Sequence, residues 1–229
     1  MEGEVMKTHG LWGWGLALCL AALSAAGSAS GQALGKTVHV DAQDEFSDID
    51  NQRSMALIAR FKSPDPRVQE AAIDEAMADP NAYVPPILFE ISAVLYDRKQ
   101  PEEATYWYAL ARLRAVKDSE ILLDKTAASG IGQLVQVYGK GFRDYMPAHM
   151  DEVLKQMTRA VEWDRAHPPA YDRRWLALHG MRAIDSGLAA KEGRAREREA
   201  ITVPEKEWAA MDEEIRVDMV EKIKGHMKR

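Results

Sequence analysis

Apolar residues recur at helical spacing along most of this chain. Alternating apolar and polar runs rich in Val, Ile and Thr are nearly missing, so the pattern predicts helices and no strands. The first helix is expected over about Asn51–Phe61. Asp65-Pro66, an N-cap residue followed by proline at the first helical position, opens a second that stops before Asp79-Pro80. Pro85-Pro86 starts a third, with Leu88, Ile91, Ser92 and Leu95 on one stripe. Pro101 starts a fourth, with Ala104, Trp107, Tyr108, Ala111 and Ala115. The segment Ser119–Tyr138 contains Gly130 and Gly132, each costing about 1 kcal/mol in a helix, so a break is expected there. Met150, Val153, Leu154, Met157, Ala160 and Val161 mark a sixth helix. A seventh is read over about Tyr171–Leu188, and a last one follows Pro204 with Trp208, Met211, Ile215, Met219 and Ile223 on one face. Short turns between such elements predict an all-α single domain of packed antiparallel helix pairs, tetratricopeptide-like or an irregular helical bundle.

The start of the chain reads differently. Lys7 precedes an apolar run from Leu11 to Leu23 and the small residues Ser24 to Ser30, which is the layout of a cleavable secretory signal. Glu2 and Glu4 fit such a start poorly, so Met6 is read as the true beginning. Ser28-x-Ser30 and Ala29-x-Gly31 place cleavage near Gly31 or Gln32. The run is shorter than the ~20 apolar residues of a span. Leu18 before Cys19 is too large for a lipoprotein box. The expected organisation is therefore a leader over 1–31, an acidic flexible linker over 32–50 and a helical domain over 51–229, exported and in the first place periplasmic, with an extracellular location as the other option.

Cys19 is the only cysteine, and it leaves with the leader, so no disulfide or thiolate is expected in the mature chain. About 200 remaining residues are ample for one core. The formal charge of −6 becomes −5 once Glu2, Glu4 and Lys7 are removed. Such a mild, mixed balance carries no footprint for nucleic acid, and no second apolar run supplies a membrane span after cleavage.

Pro86–Ala115 resembles a single tetratricopeptide-type helix pair: Leu88, Ile91, the small Ser92, Leu95, a polar turn, then Glu102-Glu103-Ala104, Tyr108 and Ala111. Within it, Ala104-x-x-Trp107-Tyr108-x-x-Ala111 is similar to the second helix of Sel-one-like repeats. The resemblance implies helical repeat packing and a protein-binding role, although no clear second copy is found. Ala170–Met181 resembles a block of uncharacterised exported bacterial proteins, which implies export and a helical fold but no activity.

Candidate chemistry is sparse. No two histidines lie at i, i+3 or i+4, so no metal site and no cofactor are expected, and neither a Gly-x-Ser-x-Gly elbow nor a phosphate-binding glycine loop occurs. Tyr171, Trp175 and His179 are spaced four apart, with Arg174 and Arg182 beside them. On a helix they would line a groove: aromatics for contact area, Arg for a carboxylate, His for a titrating partner. The same spacing also describes aromatics packed inward, the commoner use of such a stripe. Trp107 carries the same ambiguity. Glu162, Asp164 and Asp172 are acids available for paired work, although such residues more often solvate helix ends, and Arg194–Glu199 reads as a solvated charge run. The leading expectation is a non-catalytic exported protein that binds another protein, as adaptor, scaffold or immunity-type factor, with Trp107, Tyr171, Arg174, Trp175 and His179 as candidate binding residues. The alternative is a periplasmic small-ligand binder or enzyme using the Tyr171–His179 face.

Overall fold

The computed structural model describes residues 28–33 and 36–227. The leader expected over 1–31 therefore lies almost entirely outside the described residues. An antiparallel hairpin comes first, β1 (Ser28–Ala33) paired with β2 (Lys36–Asp41), Ser28 opposite Asp41. This departs from the strand-free expectation. Its sequence signal is the short alternation Thr37-Val38-His39-Val40, too brief to outweigh the helical periods around it.

From Gln52 onward the fold is all-α. The helices are α1 (Gln52–Phe61), α2 (Pro66–Ala78), α3 (Pro85–Asp97), α4 (Pro101–Glu120), α5 (Ser129–Tyr138), α6 (Lys140–Tyr145), α7 (Met150–Ala166), α8 (Met181–Glu192) and α9 (Glu205–Met227). Proline and caps set the starts of α2, α3 and α4. Asp65 Oδ1 accepts from the Arg67 N–H at 2.9 Å with Pro66 at the first position of α2, and Pro85 and Pro101 open α3 and α4.

Helix α4 is the axis of the domain, with buried residues on every side from Ala104 to Ser119. It packs antiparallel on α3 along a seam of small residues. There Ser92 Oγ, fully buried, donates to the Ala104 carbonyl at 2.8 Å. Tyr108 continues the seam, its ring edge-on to Phe89 and stacked on Phe142 at 4.4 Å between centroids. Helix α7 covers another side of α4 through Val153, Met157, Ala160 and Val161. The turn between α3 and α4 closes by two hydrogen bonds, Gln100 N–H to the Leu95 carbonyl and Lys99 N–H to that of Tyr96, with Lys99 at φ 62°. At the end of α8 the equivalent left-handed position holds Gly193, at φ 68°.

Three further segments differ from their sequence reading. Ser119–Tyr138 breaks before its glycines, at the 3-10 turn Lys125–Ala128, and Gly130 and Gly132 lie inside α5. The seventh helix does not run from Tyr171 to Leu188. Asp172 caps a 3-10 helix over Arg173–His179, accepting from the Arg174 N–H at 3.0 Å. Gly180 then turns extended before α8 begins. Gly180 is required there, because a Cβ would lie 2.3 Å from Asp124 Oδ2. The acidic segment read as a flexible linker is packed near its end: Asp44–Asp48 forms a 3-10 turn that buries Phe46, 1 % exposed, in the core. The charge run Arg194–Glu199, read as solvated, helps to hold it, together with Ser186 Oγ, which donates to Asp44 Oδ2 at 2.8 Å. Arg196 Nη1 lies 3.4 Å from Asp44 Oδ2, and Arg198 Nη2 donates to the Asp44 carbonyl at 2.8 Å. A short bridge, Leu123 N–H to Ile201 and Val203 N–H to Ile121, then fixes where α9 begins.

Candidate functional site

The polar centre of the molecule is a buried ion network that joins α4, α7, α9 and the 3-10 segment. Arg114, Lys117 and Asp118 sit on α4 and Asp164 on α7, all four fully buried. Arg114 Nε donates to Asp164 Oδ1 at 3.0 Å, and its other nitrogens donate to Asn81 Oδ1 and the carbonyls of Pro80 and His167. Lys117 Nζ reaches Asp164 Oδ2 at 2.6 Å and Asp212 Oδ2 at 3.2 Å. From α9, Arg216 donates to Asp164 Oδ2 at 2.9 Å. Arg173 bridges the rest, with Nε on Asp118 Oδ1 at 2.8 Å and both terminal nitrogens on Asp212. Four cations thus share three buried carboxylates, Arg216 also reaches the more exposed Glu213 at 3.3 Å, and nearly every polar atom is bonded, as burial of charge demands.

Sequence reasoning missed this network apart from Asp164. The readable signal was Arg114-x-x-Lys117-Asp118 on a helix with apolar residues on every side from Ala104 to Ala115. Burial pushes the Asp164 carboxyl up, but Lys117 and Arg114 more than reverse this and hold it below the ordinary carboxylate range. Asp118 stays above that range, because burial outweighs the help of Arg173, Trp175 and Tyr171.

The nominated binding residues fall in different places. Trp175 is 1 % exposed, and its Nε1 donates to Asp118 Oδ2 at 2.9 Å. Tyr171 donates its hydroxyl to the same oxygen at 2.8 Å; burial and Asp118 push this phenol well above its ordinary value. Arg174 is half-buried and forks onto Asp172, with Nε to Oδ1 at 2.9 Å and Nη2 to Oδ2 at 2.6 Å, and donates also to the Asp48 carbonyl. His179 is half-buried, edge-on to Trp175 at 6.2 Å, and burial lowers it to about 4. Trp107 is buried on α4, edge-on to Tyr106, with Nε1 unpartnered among the described residues. Among the acids, Asp164 and Asp172 are committed to these ion pairs, and Glu162 is exposed elsewhere on α7.

Two concave features flank the network. On one side an open polar cleft of about 650 Å³ is bounded by Glu45, Asp48, Tyr171, Arg174, Glu205 and Trp208. Tyr171 and Arg174 are brought together here, and Trp107, Trp175 and His179 are not among its lining. Trp208 donates Nε1 to the Val203 carbonyl at 3.0 Å and carries the Arg173 guanidinium 5.1 Å from its ring centroid. On the other side a groove of about 430 Å³ runs between α4, α6, α7 and the second half of α9. Its walls are mainly apolar, with Leu113, Phe142, Met146, Met157, Met219 and Ile223 among them.

No described helix is long and apolar enough to cross a membrane, and no group of three His, Cys, Asp or Glu among the described residues is placed to hold a metal ion. No family model, no curated protein and no solved structure matches this chain.

Proposed function

We propose that this chain is exported to the cell envelope, in the first place the periplasm, and works there as a non-catalytic helical protein that binds another protein. The observation that carries this reading is the state of the polar side chains beneath the cleft. Tyr171, Arg173, Arg174 and Asp172 are each held by partners within the protein. Groups committed in this way build a rigid wall and leave no free acid and base at hydrogen-bond distance from one another. Trp208 and Tyr171 supply aromatic contact area at little entropic cost, the usual anchor of a protein interface. Glu205, exposed on the rim, has no cation within 4 Å among the described residues, so a partner with a basic residue at that edge fits best. The repeat-like reading is supported by the α3–α4 hairpin, where Ser92 meets Ala104 and Tyr108 fills the space beside them.

The test is a photo-crosslinking residue placed at Glu205, Trp208 or Val217 in the tagged protein within its own envelope. Val217 is exposed on the same helix but is not part of the cleft lining. One protein adduct shared by the first two positions and missing at Val217 is the expected result. The same background adducts from all three would end the reading.

A further inference from the structure

The groove on the far side of the ion network carries chemistry that protein binding at the cleft does not use. Its volume, about 430 Å³, lies in the range of small-molecule sites, roughly 300–1,000 Å³. Methionines from three parts of the chain meet in it: Met146 after α6, Met150 and Met157 on α7, and Met219 on α9. Unbranched thioether side chains adapt to a flexible apolar guest better than branched ones do.

The polar groups of the groove fall in two sets, Tyr108, Arg112 and Arg143 on α4 and α6 and Asp218 with Lys222 on α9. Tyr108 is 2 % exposed and lines the groove, and its hydroxyl and the Arg143 guanidinium both come up against Gly139. Arg112 and Arg143, both exposed and both lining the groove, lie close enough to act electrostatically on that hydroxyl. Arg143 donates once, to the Val135 carbonyl at 2.9 Å, and neither guanidinium has a carboxylate within 4 Å among the described residues. The cation on the opposite wall, Lys222, is already paired with Asp218 at 2.5 Å. A tyrosine hydroxyl and two guanidiniums without an acid among the described residues therefore stand at the edge of an apolar trough. That arrangement is complementary to a carboxylate at the end of a hydrocarbon chain.

We propose that this groove binds a single-chain anionic amphiphile of the fatty-acid class, its chain against Met146, Met157 and Met219 and its carboxylate received by Tyr108, Arg112 and Arg143. The site lies apart from the cleft, so the chain would carry a lipid-like ligand independently of its protein partner.

The experiment is calorimetric titration of the mature chain with hexadecanoate and, in parallel, with hexadecanol, both below their aggregation limits. Saturable 1:1 binding is expected, with the acid at least tenfold tighter than the alcohol. The double variant Arg112→Gln, Arg143→Gln changes two exposed side chains and should fold normally by circular dichroism. It should remove most of the tenfold preference and leave alcohol binding as it was. Met157→Trp fills the trough and should abolish both; Met219→Trp, on a half-buried face, gives a second filled version should the first fail to fold. The proposal falls if the acid does not saturate. It falls equally if acid and alcohol bind alike in the parent chain, which would mark the groove as a seat for an uncharged apolar segment, or if binding survives filling of the trough.

Discussion

Arg114 and Asp164 face each other across α4 and α7 with no exposure to solvent, Nε 3.0 Å from Oδ1, fifty residues apart in sequence. Their pairing is one edge of a cluster in which four cations outnumber the buried carboxylates, with Glu213 on Arg216 at its margin. Removing an anion there should hurt far more than removing a cation. Asp164→Asn leaves Arg114, Lys117 and Arg216 without their shared carboxylate, at an expected cost of about 3–5 kcal/mol. Lys117→Met leaves three cations for the three buried carboxylates and should cost clearly less. Urea denaturation of the two variants decides; equal losses would mean that the charge count is not what governs this core.

Tyr171 stands on the boundary between network and cleft. Its hydroxyl donates to buried Asp118, so Tyr171→Phe should lower stability by about 1.5–3 kcal/mol, the range for a hydrogen bond to a charged group. Trp208→Ala, at the cleft wall, should instead weaken partner crosslinking with a smaller change in denaturation midpoint. A Tyr171→Phe variant as stable as the parent would place the phenol outside the network.

Acid should weaken the fold in two separate windows. Burial lowers His179 from 6.5 to about 4, so between those values the unfolded chain takes up a proton that the folded one refuses. Stability falls as pH drops through that window, by at most about 3 kcal/mol, and owes nothing to His179 above it. Asp164, held below the ordinary carboxylate range, keeps its contribution until pH falls lower still. Denaturation midpoints measured from pH 7 to 4 should slope downward, and His179→Gln should flatten that slope. An unchanged slope would assign the acid sensitivity to other groups.

Lys99 occupies a left-handed turn position that costs a residue with a Cβ about 1 kcal/mol or more. Lys99→Gly should stabilise the protein by roughly 0.5–1 kcal/mol, and Gly193→Ala should destabilise it by a similar amount. Thermal melts of both variants test this pair of opposite signs.

The helical class was legible because its markers are local. Asp65-Pro66, Pro85-Pro86, Pro101 and the stripes after them each act within one or two turns. Readings failed where distant residues decide the outcome. The spacing of Tyr171, Trp175 and His179 fits an α-helix, yet Asp172 as a cap and Asp124 against Gly180 enforce a 3-10 turn and a break. The acids near Asp44 and the arginines near Arg196 each look solvated alone, and they are ordered by one another and by Phe46. Of the candidate residues, Tyr171 and Arg174 reach one cleft, while Trp107 and Trp175 serve the core. The network itself rests on pairs such as Lys117 with Asp212, which no local pattern can reveal.

Helix α9 is fastened to the network by Asp212 and Arg216, whereas beyond them Met219 and Ile223 only lean, half-buried, over the groove. It is thus a beam clamped at one end. Opening it takes apolar contacts apart without separating any buried charge, so amide exchange should quicken sharply after Arg216. The molecule can then admit a guest at the free end while the clamped end, and the cleft wall it supports, hold their shape.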